Sequence, residues 1–155
     1  MSETKTFHSP AMVVGSATGE FMAQFATLNH VDLDGDVLVP GCFPEGHPVV
    51  VENYNHDNRT PVGKGTLHTD GDKALVHGQF FNTPTANEVY TAVKLLGDQC
   101  EWSFTYRILD ATPGATWPGY TGKVRILKKV DISGVSPVTR GAAGTGYTRT
   151  VDIKR

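Results

Sequence analysis

Short runs of apolar and polar residues, rich in β-branched and aromatic side chains and cut by glycine and proline, fill most of the chain, which is how a β-rich domain reads. Strands are predicted over 19–28, 36–39, 62–69, 73–81, 100–109, 123–132 and 147–153. Between the fourth and fifth of these the period changes, with Val89, Val93 and Leu96 recurring at helical spacing. Thr83 before Pro84 reads as an N-cap followed by proline at the first helical position, and Gly97 reads as the stop. The expected architecture is mainly β (α+β): a single domain with a mostly antiparallel sheet or barrel and one main covering helix. Residues 112–120, rich in glycine, proline and threonine, read as a loop joining two strands that pair. Residues 1–10 read as a flexible N-terminal arm.

Composition narrows the field. A chain of 155 residues with 39% hydrophobic content suits one core and is too short for two independent ones. Charged residues are 19% and the formal net charge is -2, so the basic surface that phosphate neutralisation requires is missing and nucleic acid is not expected as a direct ligand. The longest apolar stretches, such as Val49-Val50-Val51 and Ala11-Met12-Val13-Val14, fall far short of the roughly 20 residues that span a bilayer. The polar, mixed-charge start from Met1 to Thr6 is unlike a signal peptide, and a soluble, intracellular protein without membrane contact is expected. Cys42 and Cys100 are isolated from each other and from any CxxC spacing, and read as buried thiols in a reducing compartment.

Most candidate motifs dissolve on inspection of their spacing. Asp32-Leu33-Asp34-Gly35-Asp36 suggests a calcium loop, yet with Asp32 at position one its glycine stands at position four instead of six. Position twelve is then Phe43, which offers no carboxylate, so a tight acidic turn is expected. Gly63-Lys64-Gly65 lacks phosphate-loop spacing and sits inside a predicted strand, marking a bulge or a close backbone approach. The histidines His8, His30, His47, His56, His68 and His77 form no pair with metal-ligand spacing and a third ligand nearby; neither a metal nor a cofactor is assigned.

Two residues retain chemical interest. His56 lies in the polar run Glu52-Asn53-Tyr54-Asn55-His56-Asp57-Asn58-Arg59-Thr60-Pro61, where a ring can be both exposed and oriented by a neighbouring carbonyl or carboxylate. In Glu101-Trp102-Ser103-Phe104-Thr105-Tyr106, alternation puts the aromatic residues on one face and Glu101, Ser103 and Thr105 on the other. The aromatic face can anchor the strand in a core, presenting Ser103 rigidly on the opposite face as a nucleophile requires.

The order of these stretches resembles the prohead maturation proteases of tailed phages, whose fold is similar to that of herpesvirus assemblins. The resemblance runs from about Phe21 to about Val151: Phe25-Ala26-Thr27, then Asp34-Gly35-Asp36, Pro40-Gly41-Cys42-Phe43, Asn55-His56-Asp57 and Pro61-Val62-Gly63-Lys64-Gly65. After the helix come the Ser103 strand and Val135-Ser136-Pro137-Val138-Thr139-Arg140-Gly141-Ala142. The resemblance implies a serine endopeptidase in which His56 is the general base for Ser103, with Arg140 and Gly141 as oxyanion donors. It implies capsid or scaffolding precursor proteins as substrates, action inside the assembling prohead in the host cytoplasm, and a homodimer as the active form.

The third seat departs from the pattern. Assemblins use a second histidine after the serine, whereas none follows His77 here; many phage relatives have Glu where this chain has Gly134. Asp131 is the nearest acid on that strand and is the expected orienter of His56, with Asp57 and Glu101 as other choices. The glycine also motivates a second reading, a catalytically lapsed member serving as a structural capsid component. A third is an unrelated β-domain that binds through Trp117 and Tyr120.

Overall fold

The computed structural model describes residues 3–7, 19–139 and 147–153. The strands are β1 (Glu3–Phe7), β2 (Glu20–Thr27), β3 (Asp36–Leu38), β4 (Pro48–Val51), β5 (Gly63–Asp70), β6 (Lys73–Phe80), β7 (Glu101–Ala115), β8 (Val124–Val138) and β9 (Arg149–Ile153), with one α-helix, α1 (Pro84–Leu96). They form one sheet in the order β1-β7-β8-β4-β5-β6-β2-β9, with β3 added on β8.

Mainly β content with one helix agrees with the sequence pattern, but the sheet is open and mixed instead of an antiparallel barrel. β3 and β4 both run parallel to β8, β3 along Arg125 to Leu127 and β4 along Gly134 and Val135. Their neighbours in sequence carry the chain over to these positions, so two short strands share one edge of a long one. Within the expected N-terminal arm, residues 3–7 pair antiparallel with β7, Thr6 standing opposite Ser103, and the rest of residues 1–10 lies outside the described residues.

Alternation builds the core. Trp102, Phe104 and Tyr106 are all buried on the inner face of β7, as the aromatic spacing requires. Phe21 stacks on Trp102 with ring centroids 5.0 Å apart, and Phe25 meets Phe104 edge-on at 5.5 Å. Trp102 also donates its backbone N–H to Thr148 Oγ1 and its indole N–H to Thr150 Oγ1, each at 2.9 Å, so side-chain hydrogen bonds tie the β9 end of the sheet to β7. Helix α1 closes the core through Ala86, Val89, Tyr90 and Val93. Thr83 Oγ1 accepts the Ala86 N–H, and the helix ends at Gly97 with φ 54, as the capping signals predicted.

The long β7–β8 hairpin is what positions the site. The strands run well past their predicted ends, taking Thr112 to Ala115 out of the expected loop and Gly134 to Val138 into the sheet. Ser103 thereby stands directly opposite Ser136, and Thr105 opposite Gly134.

Candidate active site

Ser103 sits mid-strand, flanked in register by β1 on one side and β8 on the other, and is 2% exposed. With its neighbours Trp102 and Phe104 locked into the core, its side chain is fixed on the outer face beside those of Thr105 and Ser136.

His56 is delivered to that face by a short turn after β4. Val49 and Val51 point into the core, so the next residue with the same sense as exposed Val50 is Glu52. The Glu52 N–H continues the ladder to Val135 O at 2.7 Å. Asn53 and Asp57 then close the turn by exchanging backbone hydrogen bonds of 3.0 and 3.3 Å. Inside it, Asn55 and His56 both adopt left-handed backbone, with φ 56 and 62. Asparagine and histidine are among the non-glycine residues that tolerate that region best, but two in succession need external support. Ser136 supplies it: its Oγ accepts the His56 N–H at 3.0 Å and lies 2.9 Å from Asn53 O, to which it can donate. Tyr54 anchors the turn from below, its hydroxyl donating to Cys100 Sγ at 3.8 Å.

The ring then lies between three oxygens. His56 Nε2 is 2.6 Å from Ser103 Oγ. Its Nδ1 is 3.2 Å from Thr105 Oγ1 and 3.3 Å from Glu52 Oε1. The Thr105 hydroxyl donates to that same Glu52 oxygen at 2.8 Å. Since Thr105 spends its proton on Glu52, its lone pair and the carboxylate both ask for a proton on Nδ1. That tautomer leaves the Nε2 lone pair facing the Ser103 hydroxyl.

The carboxylate at the ring is thus Glu52, which is buried at 4% exposure, and not one of the acids picked from sequence. Asp131 lies farther along β8, 3.4 Å from Arg107 Nη2 and 3.6 Å from His47 Nε2. Asp57 faces outward onto Arg59, whose side-chain hydrogen bonds hold its carboxyl below the usual range. Glu101 is buried at the start of β7, two residues before Ser103. Arg140 and Gly141 lie outside the described residues. The signal that could have found Glu52 was available: a carboxylate directly after a buried β4 pattern, four residues before the histidine, and a glycine at the facing position of β8.

The remaining sequence features are local structure. Burial pushes the Cys100 thiol up to about 11 and that of Cys42 up to about 12, so both are protonated near neutral pH and poor nucleophiles. The 32–36 stretch is an acidic turn in which Asp32 Oδ1 accepts the N–H groups of Asp34 and Asp36, while Arg125 grips Asp36 with two bonds of 2.7 and 2.8 Å. Trp117 and Tyr120 form a turn in the β7–β8 connection. Among the described residues no helix is long and apolar enough to cross a membrane.

Hydroxyl, imidazole and carboxylate in line on one face of a sheet are the arrangement that serine hydrolases use as a class. Within that class the chain belongs to the caudovirus prohead serine protease family, which it matches over residues 12–154. No curated protein and no solved structure matches the chain, so the likeness of fold to assemblins stays an implication of the sequence.

Proposed function

We propose that the chain is an endopeptidase that cuts capsid or scaffolding precursors during prohead maturation, with Ser103 as nucleophile, His56 as general base and Glu52 as the group that orients the ring. The observation that carries this reading is the 2.6 Å contact between His56 Nε2 and Ser103 Oγ, made by a ring whose other nitrogen is already engaged. As Ser103 Oγ bonds to the peptide carbonyl carbon, its proton passes to Nε2 and the carbonyl π electrons move to oxygen. Collapse breaks the C–N bond, and the imidazolium returns the proton to the leaving amine. Water, deprotonated by the same nitrogen, then hydrolyses the ester and restores the serine. Throughout, Glu52 and Thr105 hold the Nδ1 proton and offset the positive charge that develops on the ring.

The backbone N–H groups of Arg140 and Gly141, just beyond β8, are the proposed oxyanion donors; loss of one such donor typically costs about 10²–10³ in rate. The homodimer remains part of this reading through the resemblance alone. The lapsed, structural reading was motivated by a missing acid at Gly134, and Glu52 supplies a carboxylate at that place, so the catalytic reading is preferred.

The test is incubation of the purified chain with the capsid precursor of the same phage, followed by mass analysis of the products, together with labelling by a fluorophosphonate. Cleavage and labelling that both disappear in Ser103→Ala are expected. Cleavage that persists in Ser103→Ala overturns the mechanism.

A further inference from the structure

Gly134 stands where glycine is hard to justify by backbone needs. It lies inside β8, paired with Thr105 on one side and Val50 on the other. Its φ is not among the positive values in the chain, so its backbone is one that other residues adopt. A glycine within a strand weakens it, because it packs nothing and loses more chain entropy on folding. The register shifts beside it, since Tyr106 faces Ile132 and Ser133 is passed over, and a bulge can favour glycine; with no positive φ at 134, space is the stronger reason. A Cβ built on Gly134 would lie 2.8 Å from Glu52 Cδ, 2.9 Å from Glu52 Cγ and 3.1 Å from Glu52 Oε1. These three nearest atoms all belong to the Glu52 side chain and none to backbone. The path of any side chain at 134 is the path that the Glu52 carboxylate takes to His56.

We propose that Gly134 is a positioning residue: by being bare it selects Glu52 as the source of the orienting carboxylate, and residues 52 and 134 are two interchangeable origins of one acid. This rests on the proposed Ser103–His56 mechanism and names the residue that sets its third member. Register supports the exchange. Residue 134 faces Thr105 across β7–β8, and Thr105 Oγ1 is the hydroxyl that already touches both the carboxylate and His56 Nδ1. A glutamate rising from 134 therefore starts inside the cluster and needs only the space that Glu52 vacates. Because the obstacle is side chain and not backbone, Gly134→Ala is expected to fold with the Glu52 side chain shifted, at the cost of the hydrogen bonds its buried carboxylate makes.

Four proteins test this: the wild-type chain, Gly134→Ala, Glu52→Gly and the exchange variant Glu52→Gly/Gly134→Glu. Two readouts are used: kcat on the capsid precursor, and the downfield Nδ1 proton resonance of His56 in 15N-histidine-labelled protein carrying Ser103→Ala. Gly134→Ala is expected to remain cooperatively folded in a thermal melt while kcat falls about 100-fold, the scale of a misplacement near 1 Å. Its Nδ1 resonance should be lost, as in Glu52→Gly. The exchange variant should recover at least about tenfold of the kcat lost in Glu52→Gly, with return of the resonance, since about 1.4 kcal/mol of orientation suffices for a tenfold change.

The idea is overturned if Gly134→Ala keeps wild-type kcat and resonance, or if the exchange variant stays with Glu52→Gly on both measures. The resonance does not depend on turnover. A wild-type chain that cuts nothing would sink the protease reading, and the resonance series would still decide whether 52 and 134 share one seat.

Discussion

Ser136 Oγ accepts the backbone N–H of His56 at 3.0 Å from the β8 position directly opposite Ser103. The same hydroxyl lies within donating distance of Asn53 O and Pro137 O, so one fully buried serine ties the histidine turn to the nucleophile's neighbouring strand. Ser136→Ala removes the acceptor for a part-buried N–H in a turn that already holds two left-handed residues. A stability loss of about 1–3 kcal/mol is expected in denaturant titration, with a fall in kcat out of proportion to any change in KM, because the base loses its seat while the substrate surface is untouched.

In the proposed mechanism Ser103 and His56 act on one proton, so their removal should not add. Each of Ser103→Ala and His56→Ala is expected to lower kcat by about 10⁴–10⁶, and the double variant no further than the worse single one. Steady-state cleavage of the capsid precursor reads this directly. An additive double variant would mean that the two side chains serve separate steps.

Thr105 bridges Glu52 and His56 through its hydroxyl and gains nothing from its methyl group in that role. Thr105→Ser should retain kcat, whereas Thr105→Val should lose about 10-fold, the value of one hydrogen bond to a charged group. Asp131→Asn is the companion control. With its carboxylate engaged by Arg107 and His47, its replacement should leave kcat unchanged.

The thiols give a pH prediction. Both have folded values raised above the ordinary 9.0, Cys100 to about 11 and Cys42 to about 12, by burial. Between about pH 9 and 12 the unfolded chain therefore binds fewer protons than the folded one, and stability falls as pH rises through that window. Below pH 9 the contribution is complete. Denaturant midpoints measured from pH 8 to 11 should decline, and Cys42→Ala/Cys100→Ala should flatten that decline. At pH 8 a thiol-disulfide colorimetric reagent should react with neither cysteine until the chain is unfolded.

The parts of this structure that were legible in the sequence are those fixed by local periodicity. The aromatic alternation of Trp102, Phe104 and Tyr106 announced which way Ser103 points, and Thr83-Pro84 with Gly97 bounded the helix to within a residue. β1 and β4 escaped notice for different reasons: Glu3–Phe7 carries little apolar pattern, and Pro48–Val51 is four residues long. The parallel pairing of β3 and β4 with β8 was also hidden, because strand direction is decided by connections and not by side-chain alternation. Glu52 was missed because proximity in the fold overrode proximity in the sequence to the wrong landmark. The residue before Val135 on β8 is a glycine, and the chain brings an acid to that spot from the end of β4, where the parallel pair Val51 and Val135 sets the two strands side by side.

The turn from Glu52 to Asp57 has a consequence for how the site is assembled. Glu52 and His56 lie in a run of six residues closed on itself by Asn53 and Asp57, whereas Ser103 lies 47 positions beyond His56. The two halves are written in different places, and they are held in alignment by Thr105 on the serine's own strand and by Ser136 and the bare Gly134 on β8. Changes on β8 would therefore be felt at a site to which that strand contributes neither the hydroxyl, the imidazole nor the carboxylate.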